Sequence, residues 1–249
     1  MENTMRNIKL CVAYDGTDYC GWQRQKNQRT VQEVIENALG RIHKRPVGVY
    51  GSGRTDSGVH AAGQIANFYT DIKNMEARRF IPALNKLLPQ DVRIMNAEEA
   101  AAGFHARFSA KARTYRYYVI PCREAFPWER RFAFPVWRRP DLALLNEYAR
   151  LLKGEMDFSL FAAAADKSVS RFRRVDNAVF FAEGGKIVFE ICANAFLWNM
   201  VRSVAGTLFY YEEKKLPGGE LAKIIQSGKR KYAGPTLPPQ GLFLYHIRY

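Results

Sequence analysis

Asn7-Ile8-Lys9-Leu10-Cys11-Val12-Ala13-Tyr14 reads NIKLCVAY, with Ile8, Leu10, Val12 and Tyr14 on one side of an extended chain. A period of two predicts a strand with one face in a core. Outward from it, a loop DGTDYCGWQRQKNQR (15–29) leads to Thr30 and Glu33, a capping-box pair. Val31, Val34, Ile35, Ala38 and Ile42 then fall on one helical face. PVGVYG (46–51) is short and β-branched, and GQIANFYT (63–70) alternates as a second long strand. A helix over 76–87 ends before Pro89, and DVRIMNAEE (91–99) supplies a further strand. The order is β-α-β-β-α-β.

The second half repeats that order without sequence self-similarity. KARTYRYYVI (111–120) reads as a strand, DLALLNEYARLL (141–152) as an amphipathic helix behind Pro140. RVDNAVFFA and KIVFEICA flank Glu183-Gly184-Gly185, a hairpin signal. Helices are predicted over 195–211 and 219–226, and a last strand over 241–249. The expectation is an α+β chain of two tandem ferredoxin-like, split-βαβ units, residues 1–105 and 106–249, with antiparallel or mixed sheets backed by helices. Residues 121–140 hold four of the eleven prolines and read as an excursion from the second unit.

Length and composition agree with a folded protein: 249 residues, 47% hydrophobic and 25% charged. No apolar run approaches the roughly 18–20 residues of a membrane span. MENTMRNIKLCVAYDG shows no basic-then-apolar secretory pattern. Cys11, Cys20, Cys122 and Cys192 form no CxxC pair, which points to a reducing cytoplasm. The four histidines are dispersed, so no metal site is expected. Lys and Arg number 38 against 24 acids, a net charge of +14 spread along the chain. Such a surface suits a polyanion, above all nucleic acid.

GSGRTDSGVH (51–60) sets Asp56 among three glycines, two residues after Arg54. The glycine spacing matches neither G-x-G-x-x-G nor a phosphate loop ending in Gly-Lys-Ser/Thr. Asp56-Ser57-Gly58 matches the aspartic-protease triplet, but that chemistry needs a second carboxylate sharing a proton, and no second triplet exists. Two readings of Asp56 remain open: an Asx-turn residue with Gly58 in a left-handed conformation, or an ionised nucleophile presented by a rigid turn. Arg202 in FLWNMVRSVAG is equally two-sided. It lies on an exposed helix stripe with Asn199, Ser203 and Gly206, or it is a buried cation that needs a carboxylate partner. In FHARFSAKARTYRYYVI (104–120) arginines alternate with aromatics, a pattern for stacking unpaired bases and binding phosphates. Tyr117 and Tyr118 fit a sheet core as well.

Taken together, YDGTDYCGWQRQ (14–25), GRTDSGVHAAGQ (53–64), FHARFSAKARTYRY (104–117), NAFLWNMVRSVAG (194–206) and GPTLPPQGLFL (234–244) resemble the tRNA pseudouridine synthase A family, in order and along almost the whole chain. The resemblance implies the pseudouridine synthase fold. It implies isomerisation of uridine to pseudouridine in the anticodon stem-loop of tRNA, by a homodimer without cofactor or metal. Carried over by position, Asp56 is the catalytic aspartate, Arg54 helps displace the target base, Tyr115 stacks on the uracil, and Arg202 pairs with the aspartate. Phe104, His105 and Arg107 fall in a tRNA-contacting segment. Asp56 would attack a flipped-out nucleotide at C1′ or at uracil C6. A catalytically silent RNA-binding protein on the same scaffold is the competing reading. Two departures stand out: DFSLFAAAADKSVSRFRRV (157–175) keeps only part of the family stretch, with extra bulk and charge where 162–174 would contact tRNA, and Leu237 and Pro239 replace small residues, neither of these two being expected to touch the catalytic set.

Overall fold

A computed structural model describes residues 5–249. Residues 1–4, which open the expected first unit and the stretch read for a secretory signal, lie outside the described residues. The chain divides into two compact units, Met1–Lys111 with Leu244–Tyr249, and Ala112–Phe243. The division thus falls at 111/112 rather than at 105/106, and the last six residues group with the first unit.

In the first unit the order is β1 (Arg6–Tyr14), α1 (Val31–His43), β2 (Tyr50–Gly51), β3 (His60–Thr70), α2 (Phe80–Leu87) and β4 (Val92–Ala100). β1 lies between β3 and β4, antiparallel to both, and β2 adds to β3. That is the split-βαβ arrangement expected. The alternation that predicted β1 is its burial pattern: Ile8, Leu10 and Val12 are fully buried and Tyr14 nearly so. Phe68 on β3, Ile94 on β4, Ile35 and Leu39 on α1, and Phe80 and Leu84 on α2 complete this core.

α1 begins directly after Thr30, as its sequence predicts, but the capping box does not form. Thr30 makes no side-chain cap bond, and its hydroxyl is buried without a hydrogen-bond partner. The buried face is also rotated: Leu39 is buried, whereas Val34 and Ile42 are only partly covered. The register of a helix against its sheet, which periodicity alone does not fix, sets that rotation.

In the second unit, β5 (Ala112–Pro121), β6 (Phe134–Val136), α3 (Leu142–Arg150), β7 (Gly154–Asp157), β8 (Phe172–Glu183), β9 (Lys186–Ala193), α4 (Met200–Glu213) and α5 (Gly218–Gln226) follow in turn. The sheet order is β5-β9-β8-β7 with antiparallel pairs, and β6 runs parallel on β5, which makes the sheet mixed. The predicted hairpin forms with Glu183 opposite Lys186 and positive φ at Gly184 and Gly185. Phe180 stacks on Phe189 at 4.5 Å and meets Phe209 of α4 edge-on at 5.6 Å, so the helix closes the core over the hairpin. The excursion is pinned at its far end. Glu212 on α4 is fully buried, pairs with Arg138, and accepts the Asp141 amide at 2.9 Å.

β10 (Leu242–Arg248) closes the chain next to β3, with the residues from Leu244 onward in the first unit. No helix among the described residues is long and apolar enough to cross a membrane.

Candidate active site

The 51–60 loop of the first unit is shaped by backbone bonds at both ends. At its entrance the Ser52 amide donates to Ile65 at 2.8 Å, its hydroxyl meets Gln64 Oε1, and the Gln64 amide donates to the Gly53 carbonyl at 2.9 Å. At its exit the Val59 amide donates to the Asp56 carbonyl at 3.1 Å, closing a turn in which Gly58 has φ +76°. The left-handed glycine of the turn reading is therefore present. This bond is accepted by the backbone carbonyl of Asp56.

The 15–22 loop is the mould for this turn. The Trp22 amide donates to the Thr55 carbonyl at 3.1 Å, and the Gly58 amide and Ser57 hydroxyl both donate to the Tyr19 carbonyl at 3.2 Å. Tyr14 OH and the Thr55 hydroxyl lie 2.8 Å apart. The buried Trp22 indole packs directly on Gly51, where any Cβ would collide with the ring. Tyr19 is itself fixed: its hydroxyl donates to Asp91 at 2.6 Å and receives a bond from Arg29 at 3.0 Å. The sequence marks Tyr14 only as a core-face residue of the first strand and does not mark Tyr19 or Trp22, although all three lie in YDGTDYCGWQRQ. Their packing on the loop depends on contact with residues 29 to 41 positions away.

Within this frame Asp56 is half-buried and Arg54 is exposed, its Nε donating to Gln23 at 3.2 Å. His60, the other flanking base, is fully buried, and its Nδ1 accepts the Gly16 amide at 3.0 Å. It ties the two loops together at the base of the turn. Phe104, His105 and Arg107 lie in the same unit, on the segment after β4.

Tyr115 and Arg202 belong to the second unit. Tyr115 is 8% exposed on β5, opposite Ile191, with its ring edge-on to Phe196 at 5.0 Å. Tyr117, two residues on, is wholly buried, and its hydroxyl donates to the Pro238 carbonyl at 2.7 Å. Burial pushes its phenol far above the ordinary value, against the opposing charge of Arg202. It is a core residue; Tyr118 is part-exposed, edge-on to Phe243.

Arg202 is not on an exposed stripe. α4 starts at Met200, five residues later than the predicted 195, because Asn199 takes a left-handed conformation with φ +61°. Ser203 and Gly206, the expected stripe companions, are buried. Residues 234–238 lie across them as a strap: a Cβ on Gly206 would run into the Pro235 carbonyl. The Arg202 guanidinium donates from Nε to the Leu237 carbonyl at 2.6 Å and from Nη1 to Asn199 Oδ1 at 3.0 Å. The expectation that Leu237 touches none of the catalytic set is thereby corrected. Its side chain is the departure from the family pattern, but its backbone is a direct ligand of Arg202.

The other departure, 157–175, is folded onto the same helix end. The Ala163 amide donates to the Trp198 carbonyl at 3.1 Å, and the Trp198 amide donates to Asp166 at 2.5 Å. A cavity of about 500 Å³ in this unit, lined by Leu151, Met156, Phe172 and Ile225 among others, contains none of the expected site residues. Among the described residues, no group of three or more His, Cys, Asp or Glu side chains is arranged to hold a metal ion.

A profile of the family described as tRNA pseudouridine synthase matches residues 10–109 and 148–249. The chain is 49% identical to tRNA pseudouridine synthase A of Treponema denticola, over 100% of this chain and 95% of that one. It is 46% identical to the protein of that name in Treponema pallidum strain Nichols, over 94% of this chain and 85% of that one. For the protein of that name in Ruminiclostridium cellulolyticum the identity is 44%, over 98% and 100%. The matched stretches contain Arg54, Asp56, Phe104, His105, Arg107 and Arg202; Tyr115 lies between them.

Proposed function

This chain belongs to the tRNA pseudouridine synthase family, and we propose that it isomerises uridine to pseudouridine in tRNA with Asp56 as the covalent nucleophile. The observation that carries the proposal is the family match over both stretches that bear Asp56 and Arg202. Asp56 sits on a turn whose backbone is bonded from two sides, so a carboxylate there needs little reorganisation on substrate binding.

In the proposed reaction the target uridine is first extruded from its stack. Asp56 attacks at C1′ or at C6, and the N1–C1′ bond breaks. The uracil turns and C5 bonds to C1′; the bond to Asp56 breaks, by displacement at C1′ or by elimination from C6, and regenerates the carboxylate, while the C5 proton leaves to solvent and N1 takes up a proton. Atoms balance without a co-reactant. We assign Arg54 to displacement of the base, Tyr115 to stacking on the uracil, and Arg202 to charge balance for the substrate complex. Tyr115 falls outside the profile-matched stretches, so its assignment rests on the motif ARTYRY within the full-length match to the relatives.

Tritium release from tRNA bearing [5-³H]uridine tests this reading. Wild type releases tritium; Asp56→Asn binds the same tRNA and releases none. Equal release by both would remove Asp56 from the chemistry, and binding without release by either would leave a silent RNA-binding protein. A tRNA with cytidine at every anticodon-arm uridine releases nothing if the anticodon stem-loop is the target.

We further propose a homodimer working in the cytoplasm. In the second unit Phe126, Trp128 and Trp137 are 57%, 69% and 90% exposed, with Phe126 stacked on Trp128 at 4.8 Å. Together with Phe132, these rings expose on the order of 500 Å², a large part of the ~800 Å² that each partner of a stable interface buries. The four cysteines are free thiols, in keeping with a reducing compartment. Light scattering should give the mass of two chains for wild type and of one for Trp128→Ser with Trp137→Ser; a monomeric wild type would overturn the dimer.

A further inference from the structure

The segment 104–108 divides its side chains between two tasks that its sequence does not separate. Phe104 faces its own unit: its ring is 4.9 Å from that of Tyr249, with Lys9 Nζ over it at 5.6 Å. Its carbonyl accepts Asn7 Nδ2 at 2.8 Å. Ala106 is fully buried, its amide donating to Asn67 at 2.9 Å and its carbonyl accepting Tyr249 OH at 2.8 Å. His105 then turns the chain, because its Nδ1 accepts the amides of Arg107 and Phe108 at 3.1 and 3.4 Å. The turn throws Phe108 outward, 77% exposed.

Phe108 does not stand alone. Its ring is 4.5 Å from that of His105, which is 5.3 Å from Tyr50, which is 6.3 Å from Tyr69. Tyr50 is 46% exposed on the short strand β2, and the Arg107 guanidinium lies over Phe108 at 5.6 Å. Three separated segments of the first unit thus assemble a row of four rings that ends in an arginine. Large exposed rings next to a cation are what unpaired nucleobases and their phosphates bind: the ring stacks on the base whatever its identity, and the cation takes the backbone. The chain's net charge of +14 favours a polyanionic occupant over another basic chain.

We propose that this row is a stacking platform for an unpaired stretch of RNA, with Phe108 and Tyr50 supplying the open ring faces and Arg107 a phosphate contact. His105 acts as the positioning residue that aims Phe108, and Phe104 is an anchor within the unit. The proposal rests on the reading of the protein as a tRNA enzyme, and it adds Tyr50, Tyr69 and Phe108 to the residues that hold the RNA.

The test is equilibrium binding of unmodified tRNA across a range of salt concentrations. Phe108→Ala and Tyr50→Ala each weaken binding about fivefold or more. They do so at every salt concentration with an unchanged slope, because a stacked ring displaces no counterion. Arg107→Ala instead lowers the slope by about one. Phe108→Trp retains affinity, whereas Phe108→Leu, apolar but without a π face, does not. Unfolding curves without RNA report whether a variant is folded, and Phe108→Leu carries the test if Phe108→Ala is not. Wild-type affinity in both Tyr50→Ala and Phe108→Leu overturns the platform. A change of oligomeric state with unchanged tRNA affinity also overturns it, in favour of a protein contact. Tritium release by wild type on the same tRNA separates the two levels. Release with unaffected variant binding sinks the platform alone; no release with weakened variant binding sinks the isomerase reading and leaves the platform standing.

Discussion

Arg202 and Leu237 hold each other by two bonds: the guanidinium Nε donates to the Leu237 carbonyl at 2.6 Å, and the Leu237 amide donates to the Arg202 carbonyl at 3.2 Å. The neighbouring carbonyl, that of Pro238, accepts Tyr117 OH. One short strap therefore fixes both a buried tyrosine of β5 and the cation at the start of α4. A guanidinium held at two nitrogens has few rotamers left, which lowers the entropy lost when a substrate fixes it further.

Replacing Arg202 by Ala should lower single-turnover isomerisation on the order of a hundredfold, the scale of a lost electrostatic contact at a reacting centre. Arg202→Lys should recover little, since one ammonium cannot reach both the Leu237 carbonyl and Asn199 in the geometry of the planar fork. Single-turnover rates at saturating tRNA decide this; an unchanged rate in Arg202→Ala would return the residue to a structural part.

Gly51→Ala tests the mould around the 51–60 loop. A Cβ there meets the Trp22 indole, so the variant should lose about 1–3 kcal/mol to overpacking. The ring should also become more solvated, shifting its fluorescence to the red. A variant as stable as wild type would show that the two loops are not locked together.

Acid should destabilise the second unit through a few carboxylates. Burial works against the Glu212 carboxylate, but the Arg138 pair and the Asp141 amide outweigh it and hold its pKa below the ordinary 4.5. Burial likewise opposes ionisation of Asp166, yet the Trp198 and Ser168 amides hold it below 3.8. The amides of Leu144 and then Ala143 do the same for Asp141. With pKa values depressed in the folded state, the stability these groups add is complete above the unfolded values and is lost as pH falls through the folded ones. Melting temperature should be nearly flat from neutral pH down to about 5 and fall below about 4.

Arg138→Ala removes the guanidinium partner of the buried Glu212, leaving it Lys215 at 3.5 Å and the Asp141 amide, and should cost roughly 2–4 kcal/mol, less than for a fully buried pair because Arg138 is partly exposed. Glu212→Gln in the same background should recover part of the loss in denaturant melts, since the under-compensated charge is gone. A further loss would show that the carboxylate still has adequate partners.

Thr30→Val should be neutral or stabilising by up to about 1 kcal/mol, contrary to the usual penalty for losing a helix cap. The hydroxyl at this position makes no cap bond, and the extended backbone, φ −130° and ψ 153°, suits a β-branched side chain. A drop of 1 kcal/mol or more would mean the hydroxyl is bonded in solution.

How far the sequence could be read depends on the range of the interactions concerned. β1 and the β8–β9 hairpin were legible because alternation and a two-residue turn report burial and geometry within a few residues. Asp56 was legible as a candidate because glycines, an acid and a base crowd one turn. The start of α4 was not: a left-handed Asn199 inside an apolar run looks like more helix until the strap over Gly206 is seen. The capping box at Thr30 failed for a related reason, since the turn before α1 is set by Trp22 and Gly21 accepting the first helix amides. The part played by Leu237 is not legible in the sequence, because a substitution reports on the side chain, while the bond to Arg202 runs through the backbone.

The turn that carries Asp56 is closed by that residue's own carbonyl, and its neighbours are gripped through Thr55, Ser57 and Gly58. None of these bonds runs through the Asp56 carboxylate, so each of them survives a change at that group. Asp56→Asn should fold to the same loop, engage RNA and stall, so cross-linked to RNA from cell extract it would serve as bait that reports the natural targets by sequencing what it retains.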